Sequence, residues 1–473
     1  MHAYQTFRNL PSMAGICTMD EAASPGLTVD ECVSRLKRFH YAFKRLHEIF
    51  NSRIAAEPIY ELKMAFSHHS HLCAEHVATL RDRVGEMREP PLGLDRIPDP
   101  NLEIFFDEIL CAKSAKETVA AVYGKAIPAL KTGLERHLTD TNHLADAPSV
   151  RIIRFALLEV QDMLDYGARA TPCLVDTNWK FANGKWLQLL DDCLLAAGDL
   201  DGAQGQASIG IKRQHSAEPF QYDGVPQRDE RFPDPYNMGV NAEVFLYDEE
   251  MPPEPKTLMM FYKRLREIDV PEMMASIIAE TPDKKWGYYK DMTRQLWDEA
   301  RHAMMGEVGF AAQGIDWTKV MVNFTWSLAL NTQLKPMERH AVLYFIEQGL
   351  MPKTGKRYEW EVAKNSDNRI AQVFQDYDWA DEVLHAKIGR DWYLPNFDDP
   401  KEGVDFGDEC WAKVLLNWAK WKEDGFTEHR NWWPDLYQDA CKQWGTEPDP
   451  KVLAFHETYE TLRADLKEMS VSG

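Results

Sequence analysis

Lysine and arginine are scarce in this chain relative to acidic residues. Its 473 residues contain 54 Lys and Arg against 75 Asp and Glu, which gives a formal net charge of -21 at pH 7. Proteins that bind nucleic acid along its phosphate backbone need a surplus of cationic side chains. The charge balance therefore argues against a general nucleic-acid binder, although a local basic patch would escape this test.

The sequence also lacks a hydrophobic run of about 20 residues, the length that a helix needs to cross a bilayer. The N-terminus, from Met1 to about Thr28, has no cationic start followed by an apolar block, the pattern of a secretory signal. We therefore expect a cytoplasmic protein without a membrane-spanning segment. Its length predicts two or three packed regions rather than one core.

Paired cysteines are missing as well. The eight cysteines are spread along the chain, and no two of them form a Cys-x-x-Cys motif. Such motifs supply thiolate ligands in zinc-finger and iron–sulfur proteins, so both classes lack support here. We expect reduced and mostly buried thiols, as is usual in a cytoplasmic protein.

The pattern of apolar residues predicts an all-α protein with four regions. Amphipathic helical runs fill residues 1–172, where a capping box at Thr28 opens a long helix. Glycine and proline are frequent in residues 173–255, which predicts an irregular connecting segment. Residues 256–394 contain four further helical runs, and residues 395–473 form a tryptophan-rich C-terminal extension that we expect to pack on the rest.

The four helical runs of residues 256–394 have recognisable ends. Thr281 as N-cap and Pro282 as the first helical residue open the second run. Gly349 is expected to end the third run, with a kink at Pro336. The predicted runs are Leu258 to Glu280, Pro282 to about Val308, Asp316 to Gly349, and about Asp367 to Asp391.

Two copies of the motif Asp-Glu-x-x-His lie on the second and fourth of these runs. One copy occupies residues 298–302 and the other occupies residues 381–385. A Glu and a His three residues apart lie on the same side of a helix, so both reach one ion. Two such helices, each beside a helix that supplies another Glu, form the carboxylate-bridged dimetal site of ferritin-like four-helix bundles.

This pattern predicts six metal ligands. On the first run Glu267 is preferred over Glu272, because an antiparallel partner of Glu299 should lie far from the connecting turn. On the third run Glu347 is preferred, with Glu338 as the alternate. The predicted ligand set is Glu267, Glu299, His302, Glu347, Glu382 and His385.

Carboxylate and imidazole donors without thiolate suit iron or manganese better than structural zinc. We therefore predict two iron ions, with manganese as the alternative. A ligating histidine usually donates its second N–H group to a carboxylate. Asp298 and Asp381 each precede a motif Glu, and each is predicted to orient the histidine of the opposite motif. The competing explanation is two solvated acidic helix faces with incidental histidines.

A second and weaker pattern is the histidine cluster of residues 68–76, which contains four histidines, Cys73 and Glu75. On a helix His68, His71 and Glu75 share one side. That arrangement suits a second metal site or a degenerate copy of the bundle. A polar cluster with a structural role explains the same residues and is the favoured interpretation.

The stretches around both motifs resemble a known group of proteins. Residues 266–305 and 346–392 are similar to bacterial ferritin-like proteins of largely unassigned function. These are distant relatives of the tRNA hydroxylase that acts on thiomethylated, isopentenylated adenosine, and of diiron N-oxygenases. The Glu347-x-Gly349-Leu350 pattern resembles the third helix of that group. The resemblance covers roughly a quarter of the chain and implies a diiron centre that activates dioxygen.

Together these observations predict a diiron oxidoreductase that uses dioxygen to hydroxylate or oxidise a small organic substrate. The expected partners are that substrate, dioxygen and an electron-donor protein, and a homodimer is left open. Three alternatives remain: an iron-handling protein of the ferroxidase type, a tRNA-modifying hydroxylase, and a helical scaffold with a structural metal site. The acidic charge weakens the tRNA alternative.

Overall fold

The computed structural model of the chain is all-helical, so the predicted all-α class is confirmed. Within its described part no β-strand forms, and one antiparallel bridge joins Val240 to Thr458. No helix of that part is both long and apolar enough to cross a membrane. The structure describes residues 4–87, 92–351, 355–415 and 418–459.

The chain divides into two compact units. Unit 1 contains residues 1–50 and 72–221, and unit 2 contains residues 51–71 and 222–473. Two of the dividing points fall inside long helices, so the compact units have other limits than the four predicted regions.

Among the described residues, nine α-helices lie in unit 1 or are shared between unit 1 and unit 2. The predicted capping box is present: Glu31 N donates to Thr28 Oγ1, and Thr28 N donates to the Glu31 carboxylate. The helices are α1 Met19–Ala23, α2 Val29–Ile54, α3 Tyr60–Glu86, α4 Pro100–Leu110, α5 Ala115–Ala121, α6 Ile127–Asp140, α7 Ala147–Leu174, α8 Thr177–Ala182 and α9 Gly184–Ala197.

Two of these helices lie where the sequence predicted irregular structure. Helices α8 and α9 occupy much of residues 177–197, so the prediction is wrong for this part of the segment 173–255. In α9 the residues Trp186, Leu190, Cys193 and Ala197 are buried, which is the spacing of one apolar helix face. The glycines and prolines that predicted irregular structure lie after this helix, in residues 202–255.

The remaining helices belong to unit 2. They are α10 Ala242–Tyr247, α11 Pro253–Arg266, α12 Asp269–Ala279, α13 Trp286–Ala311, α14 Thr325–Gln333, α15 Pro336–Gly349, α16 Lys356–Asn365, α17 Arg369–Trp392, α18 Pro400–Leu415, α19 Trp418–Glu423, α20 Trp433–Trp444 and α21 Pro450–Leu453. Helix α16 was not predicted.

The first predicted run of unit 2 is two helices, because the chain leaves α-helical hydrogen bonding at Glu267. Pro271 stands four residues after Glu267, so it has no N–H group to donate to the Glu267 carbonyl, and its ring crowds that oxygen. Instead Val270 N donates to Glu267 O, a bond that spans three residues. Glu267 therefore lies at the junction of α11 and α12 rather than inside a helix.

The second and third runs begin later than predicted, although α15 ends at Gly349 as predicted. Asp283 has a left-handed backbone (φ 63°), which is incompatible with a helix that starts at Pro282, so α13 starts at Trp286. Pro336 does not kink a long helix but opens α15 as its first residue. Lys335 before it is extended, as residues before proline usually are.

Helix α13 is central to the packing of unit 2. It contacts α11, α12 and α17, while α15 contacts α12 and α17. The segments α11–α12, α13, α17 and α15 therefore follow one another in a closed order around a common interior. Helix α16 lies outside this ring and contacts α11 and α17.

Two of the C-terminal tryptophans are part of the core of unit 2. Trp432 and Trp433 are buried and join the same hydrophobic cluster as residues of α11 and α13. The Trp432 ring packs edge-on against Tyr262, with ring centroids 4.6 Å apart. Buried aromatic side chains of this size contribute strongly to stability.

Helices α11 and α13 approach so closely that glycine is required at their contact. A Cβ atom on Gly306 would lie 2.3 Å from Leu265 N and 2.6 Å from Phe261 O. We expect Gly306→Ala to lower the free energy of unfolding by about 1–3 kcal/mol or more, because the helices must move apart. Urea denaturation measures this change.

The matched control is Gly349→Ala, since a Cβ atom there meets nothing within 4 Å. This variant should keep the stability of the parent or gain slightly from the better helix propensity of alanine. Equal losses in both variants would contradict the close contact at Gly306.

Stability below neutral pH should depend on His340, which lies on α15 among aromatic rings and is 5% exposed. Burial, aided by Lys284, lowers the pKa of His340 from 6.5 to about 4. The unfolded chain therefore binds a proton that the folded one does not, so stability falls as the pH drops from 6.5 towards 4. This loss amounts to roughly 3 kcal/mol at most.

We expect His340→Phe to flatten the decline of melting temperature across this pH window, because the substituted ring has no proton to take up. His456→Phe alters an exposed histidine and should leave the profile unchanged. An unaltered profile in His340→Phe would contradict the assignment.

Candidate metal centre

Seven side chains from the ring of helices in unit 2 form two adjoining groups of potential metal ligands. In each group, one ligand atom per residue lies within 4.8 Å of all the others. Glu382 belongs to both groups. Group A consists of Glu267, His302, Asp378 and Glu382, and group B consists of Glu299, Glu347, Glu382 and His385.

Every segment of the ring contributes to these groups. Glu267 lies at the junction of α11 and α12, and Glu347 lies on α15. The remaining residues come from α13 and α17, which carry the two Asp-Glu-x-x-His motifs. All six residues of the predicted ligand set lie here, together with Asp378, which the sequence analysis did not name.

The carboxylate of Glu299 lies between the two histidines. Its Oε1 is 3.0 Å from His385 Nδ1, and its Oε2 is 3.6 Å from His302 Nδ1. The two imidazole ring centroids are 6.0 Å apart. Glu299 is therefore placed to contact both groups, as Glu382 does.

The terminal carboxylates lie on opposite sides of this arrangement. Glu267 Oε2 is 3.3 Å from His302 Nδ1, while Glu347 Oε2 is 3.9 Å from His385 Nδ1. Each histidine thus has one carboxylate beside it that the other histidine does not share.

The aspartate of each motif lies beside the histidine of the other motif. Asp381 Oδ2 lies 3.1 Å from His302 Nε2, and Asp298 Oδ2 lies 3.4 Å from His385 Nε2. Arg301 donates to both aspartates, at 2.6 and 2.7 Å. With Nε2 held in this way, the Nδ1 atom of each ring faces the glutamates.

Five inner atoms of the two groups have no hydrogen bond of acceptable geometry within the described part of the chain, although their carboxylate and imidazole neighbours lie 3.0–3.9 Å away. Buried polar atoms without a partner are rare and costly in proteins. Here they converge on one interior and are atoms that can bind a cation, so their arrangement fits bound metal. They are Glu267 Oε2, His302 Nδ1, Glu347 Oε2, Glu382 Oε2 and His385 Nδ1.

When no metal ion is bound, protons neutralise part of the negative charge of the carboxylates. Burial opposes the charging of His302, but the carboxylates of Asp381, Glu267 and Glu299 prevail and raise its pKa to about 10. Burial likewise opposes charging of His385, whose pKa its carboxylate neighbours raise well above 6.5. Burial and the neighbouring Glu382 raise the pKa of Glu347 well above 4.5.

These shifts describe a charge balance that metal binding would alter. Two cations, Arg264 and Lys356, lie among the inner carboxylates, and protons on His302, His385 and Glu347 supply the remaining positive charge. Metal ligands must lose such protons, so divalent ions would replace them. The inner carboxylates are Glu267, Glu299, Glu347, Asp378 and Glu382.

Three residues of this interior were missed by the sequence analysis. Asp378 stands four residues before Glu382 on α17, so helical spacing was a usable signal for it. Arg264 stands three residues before Glu267, and Arg264 Nη2 lies 2.9 Å from Glu267 Oε1. Lys356 had no comparable signal, because it lies on the unpredicted helix α16.

Both alternate ligands have other partners. Glu272 is buried in a separate network, where it pairs with Lys63 and accepts from Arg228 and Ser327 at 2.8–3.0 Å. Glu338 lies in the first turn of α15, where its carboxylate accepts from Lys335 N at 2.8 Å. Neither belongs to group A or group B.

The histidine cluster of residues 68–76 is divided between the two units. In unit 2 the His68 ring stacks on Trp297, with centroids 4.4 Å apart. In unit 1 His76 Nε2 lies 2.7 Å from Glu159 Oε2. The metal-compatible groups found within the described residues do not include this cluster.

Unit 1 contains another compact group, Cys32, His137 and Asp146. Here the Cys32 thiol and Thr141 hydroxyl donate to Asp146 Oδ2, at 3.2 and 2.9 Å, and Arg83 donates to Oδ1 at 3.0 Å. Hydrogen bonds and one arginine therefore compensate the single carboxylate. This group is explained without an ion.

Compared with family models, curated proteins and solved structures, the chain has no significant match to any of them.

A pair of substitutions on one helix tests whether group B holds an ion. Glu347→Ala removes an inner carboxylate and should lower the bound metal after reconstitution with Fe²⁺ from about two ions per chain to about one or fewer. Glu338→Ala removes a carboxylate in the first turn of the same helix and should keep the parent value. Metal analysis by mass spectrometry measures both, and equal metal contents would contradict a role for Glu347.

Proposed function

We propose that the ring of α11–α12, α13, α15 and α17 is a ferritin-like four-helix bundle with a dinuclear iron centre. We propose further that the protein is a diiron oxidoreductase that uses dioxygen to hydroxylate or oxidise a small organic substrate. One observation carries this proposal: both Asp-Glu-x-x-His motifs meet Glu267 and Glu347 in one buried interior, where five potential ligand atoms have no hydrogen bond from the described residues.

In this proposal each ion has its own glutamate and histidine. Glu267 and His302 would hold one ion, while Glu347 and His385 would hold the other. Glu299 would contribute to both positions, since its two oxygens face different histidines. Glu382 would also contribute to both, because it belongs to both groups. Oxygen and nitrogen donors without thiolate favour iron, with manganese as the alternative.

The reduced iron pair, when bound, would supply the electrons that activate dioxygen. The chain's own residues contribute position and exclusion of water. Asp381 and Asp298 keep each imidazole turned with Nδ1 inward. Glu299, His302, Glu382 and His385 are each at most 2% exposed, so bulk water is kept from the inner ligand atoms.

The experiment is dioxygen uptake by protein reconstituted with Fe²⁺ in the absence of air. We expect uptake of about one dioxygen per iron pair, because two ferrous ions supply two electrons. Further uptake should then need an external reductant. Glu299→Ala should abolish the uptake, since it removes a bridge between the two ions.

Asp376→Asn is the matched control, because Asp376 is an exposed carboxylate on α17. It should consume dioxygen like the parent. An iron-loaded parent that consumes no dioxygen would refute the proposal. Uptake that continues with each addition of Fe²⁺, without reductant, would instead favour an iron-handling function of the ferroxidase type.

A further inference from the structure

We propose that the two ion positions differ in affinity: group B binds its ion first and tightly, and group A binds the second ion weakly because Lys356 and Arg264 lie among its ligands. This inference rests on the proposed dinuclear centre. It assigns to Lys356 the role of an internal cation that competes with the second metal ion.

Lys356 is buried at the side of group A. Its side chain is 1% exposed, and its Nζ lies 2.8 Å from Glu382 Oε1 and 2.9 Å from Asp378 Oδ1. A third carboxylate oxygen, Glu267 Oε1, is 3.7 Å from the same nitrogen. Three of the four residues of group A therefore already contact an ammonium group.

Arg264 adds a second fixed positive charge on the same side. Its guanidinium group is buried, pairs with Asp378 and lies 2.9 Å from Glu267 Oε1. A divalent ion in group A would be held by carboxylates whose charge is partly compensated, and it would meet two like charges nearby. Both effects weaken binding, and they are strong where water is excluded.

Of the carboxylates of group B, Lys356 contacts the shared residue Glu382. In the described part of the chain, no lysine or arginine nitrogen lies within 4.0 Å of the carboxylate oxygens of Glu299 or Glu347. The polar neighbour of Glu347 is a neutral amide, since Gln295 Nε2 donates to its Oε1 at 3.0 Å. An ion in group B therefore does not compete with a lysine or arginine for these two carboxylates.

Asp378 explains how group A still binds. It adds a carboxylate to the glutamates and histidine of this group, and Gln375 Nε2 donates to its Oδ2 at 2.6 Å. Groups A and B each contain three carboxylates, so the two cations beside group A leave it with less net negative charge than group B. The expected consequence is a protein that holds one ion at low metal concentration and a pair only when metal is more abundant.

The first test locates the ion in wild-type crystals soaked with one equivalent of Mn²⁺, by anomalous diffraction at the manganese edge. We expect the peak beside Glu347 and His385, with the Glu267 and His302 side filled only at excess Mn²⁺. Equal peaks, or a stronger peak beside His302, would overturn the inference. Because this measurement uses the wild-type protein, it does not depend on how any variant folds.

The second test compares calorimetric titrations with Mn²⁺. Wild type should bind two ions in two steps, and Lys356→Met should tighten the second step by about tenfold or more. A gain of affinity is not what damage to the fold produces. Lys356→Arg keeps the charge and should keep the two separate steps, and Lys364→Met on the exposed side of α16 should match wild type.

The outcomes separate this inference from the proposed function. Two ions that bind with one affinity in wild type, or an unchanged second step in folded Lys356→Met, would overturn the inference and leave the dinuclear centre standing. Absence of bound ions in both positions would overturn the dinuclear centre, and the inference with it. Circular dichroism establishes that each variant is folded.

Discussion

The burial of five carboxylates in one interior is the constraint on which unit 2 depends. Carboxylates removed from water are costly unless cations, protons or metal ions neutralise them. In this chain Arg264 and Lys356 neutralise part of the charge, and raised pKa values of His302, His385 and Glu347 indicate protons for the rest. Such a cluster lowers stability, and groups with strongly shifted pKa values are common at functional sites.

The surrounding helices are shaped to hold this cluster. Pro271 interrupts helical bonding at Glu267, and this junction brings the carboxylate to His302. Gly306 lets α11 lie directly on α13, so the backbone of one helix touches the other. Local backbone features that are unfavourable by themselves thus place the Glu267 carboxylate.

The two halves of the centre are related but not equal. Each histidine is held by the aspartate of the opposite motif, which gives the arrangement an approximate exchange symmetry. That symmetry is broken by α16, which brings Lys356 to one side, and by Asp378 on the same side. If the proposed ions bind, the two positions therefore differ in charge although they share two bridging glutamates.

The sequence by itself determined the helical class and which residues of the two motifs face the interior. Helical spacing places Glu and His of each motif on one face, whatever the rest of the chain does. The antiparallel register of neighbouring helices predicted Glu267, and the resemblance of the pattern at Glu347 supported that residue; both lie in the cluster. Spacing on α17 would equally have indicated Asp378.

Only the tertiary structure decided the rest. Lys356 lies on a helix without a strong pattern, and its contacts with Asp378 and Glu382 arise from packing between helices that are separate in the chain. The limits of α11, α12 and α13 depend on individual residues such as Pro271 and Asp283. The periodic pattern of apolar residues does not indicate these limits. Charge compensation in a buried site is a sum over neighbours in space, so residue order alone does not contain it.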